Sequence, residues 1–245
     1  SMSIGNKMEY KTCESAPLGG ALSREFPRIG IVLLAAGRSR RMGRNKQLLP
    51  WNGNTVLDAV CHALQTGWTP SVTRYSLVKY PFVAVTSGDR NIDEIVKHYG
   101  FSVVHNGTPE LGQGTSIALG IQYLLNEYGR NFFDGIICSV SDQPLLCPKV
   151  IETLIQCFQQ QRNVNNRIIV VPKYGSTQYS GNPVIFGNHW FDALQNIEGD
   201  QGGRTIICGE GQDFIKHVYI ASDWGIDVDT PEDYNDLLNR ESEGV

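Results

Sequence analysis

Five cations fall within nine residues, Arg38, Arg40, Arg41, Arg44 and Lys46, directly behind three positions with almost no side chain, Ala35, Ala36 and Gly37. Backbone N–H groups reachable past small residues, with guanidinium and ammonium groups beside them, suit the oxygens of a triphosphate. Gly43 gives the stretch a second flexible point. The spacing is neither the GxxxxGK[ST] of a Walker loop nor the GxGxxG of a dinucleotide fingerprint. On charge alone, a solvated basic turn would look the same.

Carboxylates supply a second kind of chemistry. The apolar run 135–140 leads into Ser141-Asp142-Gln143-Pro144. An Asp at the end of a buried strand, stopped by proline, can aim into a cleft or cap the next turn. Mg²⁺ is commonly held by one or two carboxylates together with substrate phosphates and water. A further acidic cluster runs from Asp227 through Val228, Asp229, Thr230, Pro231 and Glu232 to Asp233. Asp-Thr-Pro-Glu-Asp is also what a helix start looks like, with a cap, proline in the first turn and acids behind it. That reading accounts for Asp229 or Thr230, Glu232 and Asp233, but not for Asp227, which alternates with apolar Ile226 and Val228.

Three glycine-rich stretches complete the inventory. Gly112 to Gly120 (GQGTSIALG) places glycines, then Thr115 and Ser116, ahead of an apolar helical face. This predicts a loop entering a helix whose first N–H groups are open to an anion or a polar ring edge. Ser180-Gly181-Asn182-Pro183 precedes a short apolar run, and Gly199 to Arg204 (GDQGGR) follows a helical segment.

The elements that must position these groups alternate along the chain. Apolar runs at 29–34, 82–86, 101–104, 135–140 and 168–171, with shorter ones at 184–186 and 217–220, read as strands rich in Ile and Val. Between them, Val56, Leu57, Val60 and Leu64 share one helical face, as do Ile117, Ile121, Leu124 and Leu125, and Val150, Ile151, Leu154 and Ile155. Such alternation predicts an α/β chain: a single three-layer α/β/α domain with a mostly parallel, Rossmann-like sheet. In that architecture ligands bind beyond the carboxyl ends of the strands, where the unusual residues fall. We expect an N-terminal extension over 1–27, the domain over 28–240, a tail over 241–245 and an excursion of unassigned role at 67–80.

Composition narrows the function classes. With 21 basic and 25 acidic side chains the net charge is −4, so phosphate binding has to be local, and neither nucleic acid nor an anionic membrane is an expected partner. There is no signal-peptide pattern, and the longest apolar stretch is far short of the roughly 20 residues of a membrane helix. Ser1 before Met2 reads as a tag scar. Six scattered cysteines without a CxxC pair predict reduced thiols in a cytoplasmic protein, and five histidines without ligand spacing argue against zinc.

Leu34, Ala35, Ala36, Gly37, Ser39, Arg41, Met42, Gly43, Lys46, Leu48, Leu49 and Pro50 resemble the LA[AG]GxSxRMGxxKxLLP pattern of the MobA-like NTP transferases. The resemblance spans about residues 28–240 and implies the nucleotide-diphospho-sugar transferase type of fold. It further implies that the glycine–arginine loop wraps nucleotide phosphates, placing Arg41 and Lys46 on the triphosphate. Gly112, Ser116 and Gly120 match a GMxxSLxxG stretch that contacts base and sugar, with Gln113 replacing Met and Ile117 replacing Leu. Asp142 matches the family's DQP triplet as a Mg²⁺ ligand. The D[IV]DTPED run is matched completely, from which Asp227 is expected as the second ligand and Asp229 mainly as a cap. Gly181, Asn182, Asp200 and Arg204 match loops lining the acceptor pocket, with Asn182 where relatives carry His. Relatives using GTP tend to have LAGG. Ala36 gives LAAG, and its methyl would crowd a purine more than a pyrimidine. The resemblance therefore implies a Mg²⁺-dependent cytidylyltransferase acting in molybdenum cofactor biosynthesis, using CTP and a phosphorylated pterin and serving a molybdoenzyme. Guanylyl or other nucleotidyl transfer to a different acceptor is the alternative within the class, and a non-catalytic cofactor-binding chaperone is the alternative outside it. The absence of GxGxxG argues against an oxidoreductase.

Overall fold

Ile29–Ala35 is buried at every position and forms β1, as a central strand with helices on both sides must be. Its side chains alternate between two cores. Ile31, Leu33 and Ala35 enter one with Leu57, Val60 and Leu64; Val32, Leu34 and Ala36 enter the other with Ile117, Ile121 and Leu124. The computed structural model describes residues 26–37, 45–69, 79–175, 179–221 and 226–243.

A short hairpin, β2 (Pro50–Trp51) and β3 (Asn54–Thr55), leads into α1 (Val56–Trp68). Thr55 caps α1 through a reciprocal box with Asp58, which ties down the first N–H groups of the helix. At the other end, Trp68 Nε1 donates to the Ile29 carbonyl at 2.8 Å, fixing α1 across the start of β1. The chain continues through β4 (Phe82–Thr86), α2 (Arg90–His98) and β5 (Ser102–His105). It then crosses by α3 (Gln113–Tyr128) to β6 (Gly135–Val140), followed by α4 (Pro148–Arg162), β7 (Ile169–Tyr174), β8 (Tyr179–Ser180) and β9 (Val184–Gly187). Two short helices, α5 (Phe191–Gln195) and α6 (Arg204–Ile207), precede β10 (Ile215–Ile220) and α7 (Pro231–Glu243).

The main sheet runs β10-β7-β9-β6-β1-β4-β5, with β8 paired to β7. β1 is parallel to both β4 and β6, while β9 runs antiparallel between β6 and β7. The mostly parallel sheet expected from the sequence is therefore present, and all seven apolar runs contribute strands to it. Consecutive strands grow outward from β1 through β4 to β5, then return to β6 on its other side. That reversal opens a crevice at the carboxyl ends of β1 and β6.

Smaller features bear on the expectations. Gly112, at φ 102, caps α3 without a side-chain hydrogen bond, so Thr115 and Ser116 lie inside the helix rather than ahead of it. Cys61, Cys138, Cys147 and Cys208 are free thiols, as expected of a chain without paired cysteine spacing. Residues 70–78 of the excursion lie outside the described residues.

α3 crosses β1 closely because Gly120 has no side chain. A Cβ there would stand 2.4 Å from Val32 Cγ1 and 3.2 Å from Val85 Cγ2. Gly120→Val is expected to destabilise the fold by about 2–3 kcal/mol through overpacking, read from the midpoint of urea denaturation.

Candidate active site

Lys46 stands at the mouth of the crevice, in a single helical turn capped by Asn45. Its ammonium donates to Asp142 Oδ2 at 2.7 Å and to Asp229 Oδ1 at 3.3 Å. Asp142 reaches this point because β6 ends just before it. Asp229 reaches it because a small core of Leu49, Trp51, Val56, Val228, Tyr234 and Leu237 fastens the 226–229 segment beside the turn after Lys46. Two hydrogen bonds complete the fastening: Val228 N–H to the Asp142 carbonyl at 2.9 Å, and Tyr234 Oη–H to the Pro50 carbonyl at 2.6 Å.

Asp227 belongs to the same cluster. Gln143 Nε2 donates to its Oδ1 at 2.9 Å. Burial, then the Asp142 charge, pushes the Asp227 carboxyl up to about 7. Burial also raises Asp142, with Lys46 opposing. At Lys46 burial favours loss of the proton, but the Asp142 and Asp229 charges outweigh it and the ammonium is held above its ordinary range. Asp142 Oδ1 is shut off from water and has no hydrogen-bond partner among the described residues. Neighbouring carboxylates that raise one another, one with a bare buried oxygen, fit a hard divalent cation that draws its remaining ligands from phosphates and water. No group of three or more His, Cys, Asp or Glu placed to hold a metal occurs among the described residues.

The role expected for Asp229 needs correction. Thr230 Oγ1 accepts from Asp233 N–H at 3.2 Å, and Asp233 Oδ2 accepts from the N–H groups of Thr230 and Asp229, both at 3.0 Å. The cap of α7 is thus Thr230 with Asp233, which leaves the Asp229 carboxylate to face Lys46. The repeated acids of the run gave two equally good sequence registers for the cap, and packing of Val228 selects between them.

Beyond β1 and β6 lies a cleft of about 160 Å³. Leu34, Ala36 and Gly37 line it from the β1 side, and Lys46 and Asp142 from the carboxylate side. Gly112 and Ser116 line it from the start of α3. Ala35 is directed into the opposite core, so its side chain does not face this cleft. Arg41 falls outside the described residues, as do Arg38, Arg40 and Arg44.

The helix start is less open than expected. Gly114 N–H donates to the Gly199 carbonyl at 3.0 Å, and a Cβ on Gly112 would meet Asp200 Oδ1 at 2.6 Å. The turn containing Asp200 therefore lies directly against the loop that enters α3. Arg204 begins α6 with an exposed side chain. Gly181 N–H donates to the Pro172 carbonyl at 2.9 Å, and Tyr174 Oη–H donates to the Asn182 carbonyl at 2.6 Å. Burial above all raises the Tyr174 phenol and keeps it protonated, as its hydrogen bond to the Asn182 carbonyl requires.

Several residues of the site escaped sequence reasoning. Gln47 lines the cleft and donates through Nε2 to Ser141 Oγ at 3.0 Å. Gln143 orients Asp227, and Asn106 Nδ2 donates to Ser116 Oγ at 2.9 Å. Amide side chains carry no charge and follow no period, and only the adjacency of Gln47 to Lys46 and of Gln143 to Asp142 could have marked them.

Without a divalent cation the carboxylate cluster costs stability. Asp227 ionises near its ordinary value of 3.8 when unfolded but at about 7 when folded. A raised folded value contributes fully only at low pH and is lost as pH rises from about 4 to about 7. With chelator present, Asp227→Asn is expected to exceed the parent in stability by roughly 1–3 kcal/mol at pH 8. The difference should be near zero at pH 4 and flat above 7, as measured by denaturant titration across that range.

Comparison with known proteins agrees with this architecture. Over 211 residues the chain is 26% identical to the purine catabolism protein PucB of Bacillus subtilis (strain 168), covering 85% of this chain and 95% of that one. Among solved structures, Rv0371c from Mycobacterium tuberculosis H37Rv superposes with a TM-score of 0.68 at 24% identity, over 87% of this chain and 98% of that one. The same protein has been solved in complex with manganese, with a TM-score of 0.63 at 22% identity, over 86% of this chain and 98% of that one. The MobA-like NTP transferase domain matches residues 31–213, and the chain accordingly belongs to that family of nucleotidyltransferases.

Proposed function

We propose that the chain transfers CMP from CTP to the phosphate of molybdenum cofactor, a phosphorylated pterin, with release of pyrophosphate. The observation that carries this reading is the meeting of Lys46, Asp142, Asp227 and Asp229 beside a cleft floored by small residues, Ala36 among them. In this reading Leu34, Ala36, Gly37, Gly112 and Ser116, with the backbone of Ala35, hold the nucleotide. Gly181, Asn182, Asp200 and Arg204 face the acceptor. Asp142 and Asp227 would hold Mg²⁺, which would supply positive charge to neutralise the triphosphate.

A terminal phosphate oxygen of the acceptor attacks the α-phosphorus in line. The new P–O bond forms as the bond to the β-phosphate bridge breaks, and pyrophosphate departs with the electron pair. Lys46 exchanges Asp142 and Asp229 for phosphate oxygens and, with Arg41, offsets the charge building on the leaving group. A phosphate nucleophile is already ionised near neutral pH, so no general base is required. The dinucleotide product would pass to a molybdoenzyme, and the resemblance to a purine catabolism protein points to one acting on purines.

Asn182 in place of the family His keeps other phosphorylated acceptors in the comparison. Pyrophosphate release is expected only with CTP, Mg²⁺ or Mn²⁺ and the pterin together; binding of cofactor without release would identify a chaperone instead. Asp142→Asn should lower turnover by at least about 10²-fold with the fold retained. Ala36→Gly should shift the CTP-to-GTP preference toward GTP by about tenfold, since one methyl in a pocket is worth on that order. An unchanged base preference in the Ala36→Gly enzyme would remove the basis for cytidylyl transfer.

A further inference from the structure

Gln47 is 2% exposed, yet it is one of the residues lining the cleft. Its Nε2 donates to Ser141 Oγ, and its Oε1 is buried with no hydrogen-bond partner among the described residues. Exchanging the oxygen and nitrogen of the amide leaves the same deficit. If Oε1 takes the Ser141 hydroxyl proton, the Nε2 donors are left bare. A buried amide half satisfied by the protein is costly unless the missing partner arrives with a ligand.

We infer that Gln47 binds a ribose hydroxyl of the nucleotide, an inference that rests on the nucleotidyltransferase reading of this cleft. The chemistry selects the sugar. A phosphate oxygen fits only the orientation that presents Nε2, and a metal cation only the one that presents Oε1. A base edge presents a donor or an acceptor at a fixed place and fits only one orientation of the amide. A hydroxyl both gives and takes, and so completes Gln47 in either orientation. Position agrees. Gln47 adjoins Lys46 in sequence and holds Ser141, the neighbour of Asp142, so its amide lies next to the phosphate-directed groups. In a nucleoside triphosphate the group bonded to the α-phosphate is the sugar.

The test compares binding of CTP, 2′-deoxy-CTP, 3′-deoxy-CTP and UTP by calorimetry, with Mg²⁺ and without acceptor, to the wild type and to Gln47→Met. The near-isosteric Met keeps the packing, and Gln47→Leu serves as a second variant should Met impair folding by circular dichroism. The wild type is expected to bind one deoxy analogue about tenfold more weakly than CTP. The variant should bind CTP about tenfold more weakly and no longer distinguish it from that analogue. Equal binding of all three cytidine nucleotides by the wild type overturns the inference. So does a variant that keeps the parental sugar preference, or one that loses only the choice between CTP and UTP. Failure of the wild type to bind any triphosphate overturns the functional reading itself, and this inference with it.

Discussion

Negative charge gathered in a half-buried place has to be answered by positive charge, and the site depends on that constraint. Asp142, Asp227 and Asp229 come from two distant parts of the chain, and Lys46 from a third. The carboxylates are assembled by apolar packing: Val228 is fully buried between Asp227 and Asp229, so that seating one apolar side chain delivers both neighbours. Hydrophobic burial thus holds like charges together, and part of the stability so gained is spent against their repulsion. Functional sites commonly carry such a deficit.

The fold was legible in the sequence because its signals are local and repeated. Ile and Val runs buried on both faces, separated by helices with one apolar stripe, leave few arrangements other than a covered parallel sheet. The places where the reading fell short share a different cause. Ala35 and Ala36 are indistinguishable as letters, yet the pleat sends one to each core. Asp229 and Thr230 compete for the same cap, and only the seat of Val228 decides between them. Gln47 and Gln143 become visible only once their partners, Ser141 and Asp227, are in place.

The charged residues of the site were the easier part to foresee. A carboxylate placed after a buried strand, or next to an apolar residue that must be covered, violates the ordinary pattern and so stands out. Neutral amides do not violate it. They appear in the structure as the groups that hold other polar groups in position, as Gln143 does for the Asp227 carboxylate and Asn106 for the Ser116 hydroxyl.

One contact described above joins regions that the chain keeps far apart. The Gly199 carbonyl accepts from Gly114, a Cβ at Gly112 would collide with Asp200, and one at Gly202 would meet Gln113 Oε1 at 2.6 Å. Glycines at 112 and 202 thus leave room for the side chains of Asp200 and Gln113 where the two loops meet. A lengthened or bulkier turn at 199–202 would press on the first residues of α3, so a change in one loop is felt by the other. Substitution in either loop is consequently confined to side chains that leave this seam closed.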